Sequence, residues 1–123
     1  MTSAVVDKRG VDNPLVILIN VVFPIRPEKI DEWLTLATSY AEAVEAEDGC
    51  LFFQWSRRID DPTLFVAVEG FRDAAAGEAH VGTAHFADLI QRGPDLVADR
   101  PRIIYIDAPE VDGWGPMGEI SPR

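Results

Sequence analysis

The run VILINVVF, residues 16 to 23, is rich in β-branched residues and apolar at both alternating positions, the pattern of a strand covered on two faces. Pro14 and Pro24 bracket it. From Arg26 to Gly49 the period lengthens. Ile30, Trp33, Leu34, Ala37, Ala41 and Val44 recur at helical spacing, Pro27 stands where a first helical turn tolerates it, and Gly49 supplies the stop. Residues 50–58, CLFFQWSRR, and 63–71, TLFVAVEGF, are again aromatic and β-branched, and the IDDP between them carries turn chemistry, so the two predict a hairpin. Asp73 can cap a short alanine-rich helix over AAAGEAH. Gly82 interrupts it, and Thr83 can cap a second short helix over AHFADLIQR, ended by Gly93 and Pro94. RPRIIYIDAP then predicts a last strand.

The order strand, helix, strand, strand, split helix, strand is that of a ferredoxin-like α+β sandwich, a split βαβ with a four-stranded antiparallel sheet. It occupies residues 14–109. Residues 1–13 are expected to form a flexible N-terminal segment, and the Gly- and Pro-rich stretch 110–123 an irregular tail. In such a fold the helices cover one face of the sheet. Here both faces are apolar: Leu15, Ile17, Ile19 and Val21 alternate with Val16, Leu18 and Val22, and Leu64, Val66 and Val68 alternate with Phe65, Ala67 and Phe71. A bare sheet of that composition would aggregate, so a second copy of the chain is expected to cover it, giving a homodimeric barrel of two packed sheets. Trp114, a large apolar residue in a polar tail, is expected to dock on that partner or over a pocket mouth.

Composition narrows the partners. With 21 Asp and Glu against 11 Lys and Arg, the formal charge is −10, and no basic run could neutralise a phosphate backbone or an anionic membrane. The longest apolar run is far short of the roughly 20 residues of a membrane helix. The first residues, MTSAVVDKRGVDN, lack a signal-peptide core, and a lone Cys50 cannot form an internal disulfide, so a cytoplasmic location is expected.

Polar residues inside apolar strands are the candidates for chemistry. Asn20 interrupts the first strand and Glu69 sits near the end of the third. Each must be hydrogen-bonded or face a solvated cavity. Asn20 could satisfy an irregular spot in the sheet and Glu69 could pair with Arg57, Arg58 or Arg72; alternatively both point into a cavity between sheet and helices. The two histidines lie in HVGTAHF, residues 80–86. Residues five apart on a continuous helix diverge by about 140°, and Gly82 breaks the helix between them. A metal site would need Glu78, Asp88 or Glu69 to complete it, and no metal is expected. Phosphate-cradling loops and a G-x-S-x-G elbow are absent.

The strings EDGCLFF (Glu47 to Phe53), the turn DDP, EGFRDAAA (Glu69 to Ala76) and HVGTAHF, in this order, resemble the antibiotic biosynthesis monooxygenase family over residues 14–107. That family is similar in its Glu-x-Gly-Cys lead into the second strand, its Glu-x-aromatic end to the third, and a His-x-x-Ser/Thr-x-His-Phe segment. The resemblance implies a dimeric α+β barrel and an oxygenase that uses neither metal nor flavin to oxidise quinols or polycyclic phenols with O₂. It places Asn20 in the pocket. Phe71 stands where relatives often carry a Trp, whose role would pass to Trp55. Haem-degrading relatives need an axial histidine where this chain has Ile90, so no haem is expected.

The expected site therefore has His80, Glu69 and His85 as catalytic residues, with Glu69 orienting His80, and Asn20, Phe53, Trp55, Phe71 and Phe86 around an aromatic substrate. A histidine is suited to act as base near neutral pH, and a dry pocket with dipoles for a developing oxyanion completes the chemistry. Two other functions fit the same residues. One is a binding protein for hydrophobic aromatic metabolites. The other is a small-molecule isomerase in which histidine and glutamate move a proton without O₂.

Overall fold

The computed structural model describes residues 15–109 and 114–123. Its elements are β1 (Leu15–Pro24), a 3-10 turn (Pro27–Lys29), α1 (Ile30–Glu45), β2 (Cys50–Arg57), β3 (Leu64–Phe71), α2 (Ala74–Val81), α3 (Ala84–Arg92), a second 3-10 turn (Gly93–Asp95) and β4 (Arg102–Pro109). The strands form one antiparallel sheet in the order β2-β3-β1-β4. This is the ferredoxin-like sandwich that the periodicity predicts. The expected flexible segment 1–13 lies outside the described residues, as do positions 110–113 of the tail. No helix among the described residues is long and apolar enough to cross a membrane.

Strand pairing sorts the side chains by face. Ile19 stands opposite Glu69, which stands opposite Phe53; Val21 stands opposite Ala67, which stands opposite Trp55. These residues face the helices. The buried stripe of α1 is Trp33, Leu36, Ala37, Tyr40 and Val44, whereas Leu34 is exposed. It is rotated from the stripe the sequence suggests. Trp33 decides the rotation, because its ring is fully buried against Phe23, Trp55 and Phe65 at centroid distances of 5.1, 5.2 and 5.9 Å. Such aromatic pairs add about 0.5–1.5 kcal/mol each beyond their buried area. Trp55 ties the same strand to the helix by donating from Nε1 to the Ala37 carbonyl at 2.8 Å. With that face inward, Tyr40 follows Trp33 and Leu36 along the stripe and enters the core.

The two short helices depend on their caps. The Asp73 carboxylate accepts from the Ala76 N–H at 2.8 Å, and the Thr83 hydroxyl accepts from the Phe86 N–H at 3.2 Å while donating to the His80 carbonyl at 2.7 Å. Each cap is worth about 1 kcal/mol, and helices of this length do not persist without tertiary support. Gly82 closes α2, and the chain restarts at Thr83 on a new axis.

The helix-free face carries Leu18, Val22, Val66, Val68, Ile104 and Ile106. On it Phe52 lies over Gly70, where an added Cβ would sit 2.4 Å from the ring, so only glycine fits beneath. Trp114 packs against Phe52 with centroids 5.7 Å apart. Within the subunit Trp114 thus leans on this face, away from the helices, and not over the space between sheet and helices. Ile104 and Ile106 stay exposed.

Candidate functional site

Between the sheet and the helices lies a cavity of about 710 Å³. That is the size of a small-molecule site. Its floor is Ile19, Val21, Phe53, Trp55 and Ala67, and one wall is the Phe86, Leu89 and Ile90 stripe of α3. Residues 93–101 form another wall. They are pinned to the end of β1 by a bridge between Ile25 and Val97, by the Arg26 N–H on the Leu96 carbonyl (2.9 Å) and by the Ala98 N–H on the Pro24 carbonyl (2.8 Å). Ile103 and Tyr105 of β4, both more than half exposed, form its open rim. The polar residues of this apolar chamber are Tyr40, Glu69 and His80, which lie together, and Arg100 and Tyr105.

The arrangement around His80 starts outside the cavity, in the loop from α1 to β2. Gly49 brings that loop so close to α2 that an added Cβ would lie 2.2 Å from the Ala76 Cβ, and the Arg72 N–H holds the Gly49 carbonyl at 2.8 Å. Glu47, two residues earlier, thereby meets the histidine one helical turn beyond Ala76. Its Oε2 lies 2.8 Å from His80 Nδ1 and 2.6 Å from His85 Nε2. An ionised carboxylate only accepts, so both imidazoles donate to it. In a neutral His80 ring the lone pair is then on Nε2, which faces the Tyr40 hydroxyl at 3.2 Å and Glu69 Oε1 at 3.6 Å. Phe71 and Phe86 pack on the ring at centroid distances of 4.7 and 5.3 Å, and His80 is 4% exposed. Its orientation is locked on every side.

Burial sets the electrostatics. The Glu69 carboxyl is pushed up to about 7, first by its own desolvation and then by the charge of Glu47. Its Oε1 has no hydrogen-bond partner among the described residues. Tyr40 is driven well above the ordinary phenol range by burial and by Glu69 and Glu47, so it remains a hydroxyl donor. The Cys50 thiol is pushed up to about 11, mainly by burial. It is therefore a poor nucleophile.

Several expected residues fall into place and others do not. His80, Glu69, Phe53, Trp55 and Phe86 all border the cavity. Glu69 does not orient His80 through Nδ1; Glu47 does, and Glu69 stands at the other nitrogen. His85 braces Glu47 and is absent from the cavity wall. Phe71 is fully buried beneath the His80 ring and cannot touch a ligand. Asn20 is exposed on the helix-free face, because its neighbours Ile19 and Val21 point the other way into the cavity. The arginines offered to Glu69 are engaged elsewhere: Arg58 with Asp60, Arg72 with Asp48 and Asp73, and Arg57 on the Pro62 carbonyl. Tyr40 and Glu47 were not among the expected site residues. The EDGC string held the signal for Glu47, a carboxylate beside a glycine that permits close approach.

The histidines also meet, despite their spacing. On one helix they would diverge, but the break at Gly82 re-aims α3 so that both rings reach the same carboxylate. Glu47, His80 and His85 each offer one ligand atom, and the three atoms lie within 4.8 Å of one another. None of the carboxylates considered from the sequence, Glu78, Asp88 or Glu69, completes this group.

A model of the antibiotic biosynthesis monooxygenase family matches residues 16–92, more than half of the chain. YcnE of Bacillus subtilis, named as a candidate monooxygenase, is 29% identical over 82 residues, covering 67% of this chain and 86% of that protein. An uncharacterised protein of Synechocystis is 28% identical over 92 residues, 75% of this chain, and the match spans 61% of that relative's length. Among solved structures, a candidate antibiotic biosynthesis monooxygenase from Caulobacter crescentus superimposes with a TM-score of 0.69 at 26% identity, over 78% of this chain and 91% of that one. The chain belongs to the antibiotic biosynthesis monooxygenase family.

Proposed function

We propose that the protein is a cofactor-independent monooxygenase that oxidises a quinol or polycyclic phenol with O₂. The observation that carries this reading is His80 on the wall of an apolar cavity, its Nδ1 tied to Glu47 so that a neutral ring leaves Nε2, 3.2 Å from the Tyr40 hydroxyl, as the proton acceptor. A phenol in the cavity gives its O–H proton to Nε2, and Glu47 stabilises the imidazolium that forms. The phenolate passes one electron to O₂, and the resulting superoxide and phenoxyl radical combine at a ring carbon. The peroxide so formed takes back the proton from His80. Loss of water, made from the ring C–H hydrogen and the terminal O–H, leaves the quinone. The Tyr40 hydroxyl, and Glu69 in its protonated form, are hydrogen-bond donors for the developing oxyanions, and such dipoles act strongly among apolar walls. Arg100, at another part of the wall, suits a substrate bearing an acidic group.

The test is O₂ uptake with a panel of quinols and polycyclic phenols in place of a single substrate. One O₂ consumed per quinone formed, lost in His80→Ala, is the expected result. Tight quenching of tryptophan fluorescence by the same compounds with no uptake would replace this reading with a binding protein for aromatic metabolites. Conversion under anaerobic conditions would replace it with an isomerase.

A further inference from the structure

We infer that Glu47, His80 and His85 form a binding site for a divalent transition-metal ion of the zinc and cobalt type. Two imidazole nitrogens and one carboxylate oxygen are the donor set such ions take, and they are a poor match for magnesium or calcium. The three donors already converge: Glu47 Oε2 is 2.8 Å from His80 Nδ1 and 2.6 Å from His85 Nε2. An ion about 2.0–2.1 Å from each donor needs donors roughly 3.3 Å apart in tetrahedral geometry. The adjustment required is therefore about half an ångström at the two Glu47 contacts, with the two histidine nitrogens, within 4.8 Å of each other, settling to the same spacing. His85 can supply it, since its side chain is only partly buried and sits on a helix that the Gly82 break separates from His80.

A second observation points the same way. A histidine that ligates a metal through one nitrogen carries its proton on the other, and it characteristically donates that proton to a carboxylate. Behind His80, on the side away from Glu47, Glu69 Oε1 lies 3.6 Å from Nε2, buried and without a hydrogen-bond partner. With the ion in place, that oxygen acquires the donor it lacks. As the ion enters, each neutral ring gives up the proton now directed at Glu47 and takes one up on its other nitrogen, so that His80 carries its proton on Nε2. In combination with the proposed function, occupancy has a consequence: Nε2 is then protonated and the base is gone, so the ion holds the enzyme in an inactive state. The site itself does not depend on that reading.

The experiment uses the full chain, stripped with chelator and titrated with Co²⁺ and Zn²⁺. One Co²⁺ per chain with visible d–d absorption of a four- or five-coordinate ion is expected, as is perturbation of both histidine rings in ¹⁵N NMR on adding Zn²⁺. Glu47→Gln and His85→Ala should each weaken binding about 100-fold or more, and Glu69→Gln about 10-fold, the lower range for an outer-shell carboxylate. The wild-type spectra guard against variants that fail to fold. Absence of the d–d band, an affinity unchanged in His85→Ala, or Mg²⁺ binding as tightly as Co²⁺ would overturn the site and leave a purely hydrogen-bonded triad. Because none of these readouts is turnover, they stand apart from any failure of the oxygenase assay.

Discussion

Replacing Gly49 by alanine places a methyl carbon 2.2 Å from the Cβ of Ala76 and 3.2 Å from its Cα. Ordinary carbon–carbon contact needs about 3.5 Å or more, so the loop before β2 and the start of α2 must separate by more than about 1 Å. Overpacking of this kind costs roughly 1–3 kcal/mol. In a domain of this length each kcal/mol lowers Tm by about 3–6 °C. The separation also acts on the site, since Glu47 rides on the loop and His80 on the helix. Their 2.8 Å hydrogen bond should lengthen beyond bonding range. Urea unfolding followed by tryptophan fluorescence reads the first effect, and the downfield proton signal of His80 Nδ1–H reads the second. Ala76→Gly in the same chain removes the clash. Alone it costs about 1 kcal/mol for glycine in a helix, but combined with Gly49→Ala it should return both stability and the proton signal toward wild type. If Gly49→Ala unfolds at the wild-type urea concentration, or if Ala76→Gly merely adds to its loss, the close approach is not what seats Glu47.

His80→Ala should lower turnover by about 100-fold or more, the lower range for losing a general base, whereas His85→Ala should act mainly through stability; equal losses in kcat for both would show that the two rings work as one unit. Glu69 titrates near 7 in the folded chain against an ordinary value of 4.5, so the folded state holds the extra proton and stability falls as pH rises through that window. Glu69→Gln, in chelator-treated protein, should therefore gain on the order of 2 kcal/mol over wild type at pH 8.5 and little at pH 4, and an equal effect at both would contradict the desolvation argument. Sedimentation at micromolar concentration should give twice the 13.6 kDa subunit mass, because Ile104 and Ile106 need a cover; a stable monomer would refute the two-faced-sheet argument.

The elements were legible because each carries its own local instruction. A change of hydrophobic period marks the entry to α1, and Asp73 and Thr83 announce α2 and α3 by cap chemistry that operates within three residues. The rotation of α1 was harder to see. Leu34 and Leu36 are equally apolar, and the choice between them is made by Phe23, Trp55 and Phe65 around Trp33, which are distant in sequence. Tyr40 entered the core with that choice. Asn20 was misplaced for a related reason: alternation separates it from Ile19 and Val21, but with two apolar faces it does not tell which one the helices cover. The partnership of Glu47 with His80 and His85 spans 33 and 38 positions, and no periodicity reaches that far.

β4 is one strand thick and lies at an edge of the sheet. Ile103 and Tyr105 look into the cavity, while Ile104 and Ile106, at the alternate positions, belong to the open face. One row cannot move without the other. A ligand that shifts Ile103 and Tyr105 therefore changes the shape offered to whatever molecule packs on the far side, and by thermodynamic reciprocity that molecule changes the ligand's affinity by the same factor. Where that molecule is the second copy of the chain expected from the two apolar faces, occupancy of the cavity becomes a function of protein concentration as well as ligand concentration. Titrations run at two dilutions should give two different apparent affinities, and the sign of their difference tells whether the ligand tightens the association or loosens it.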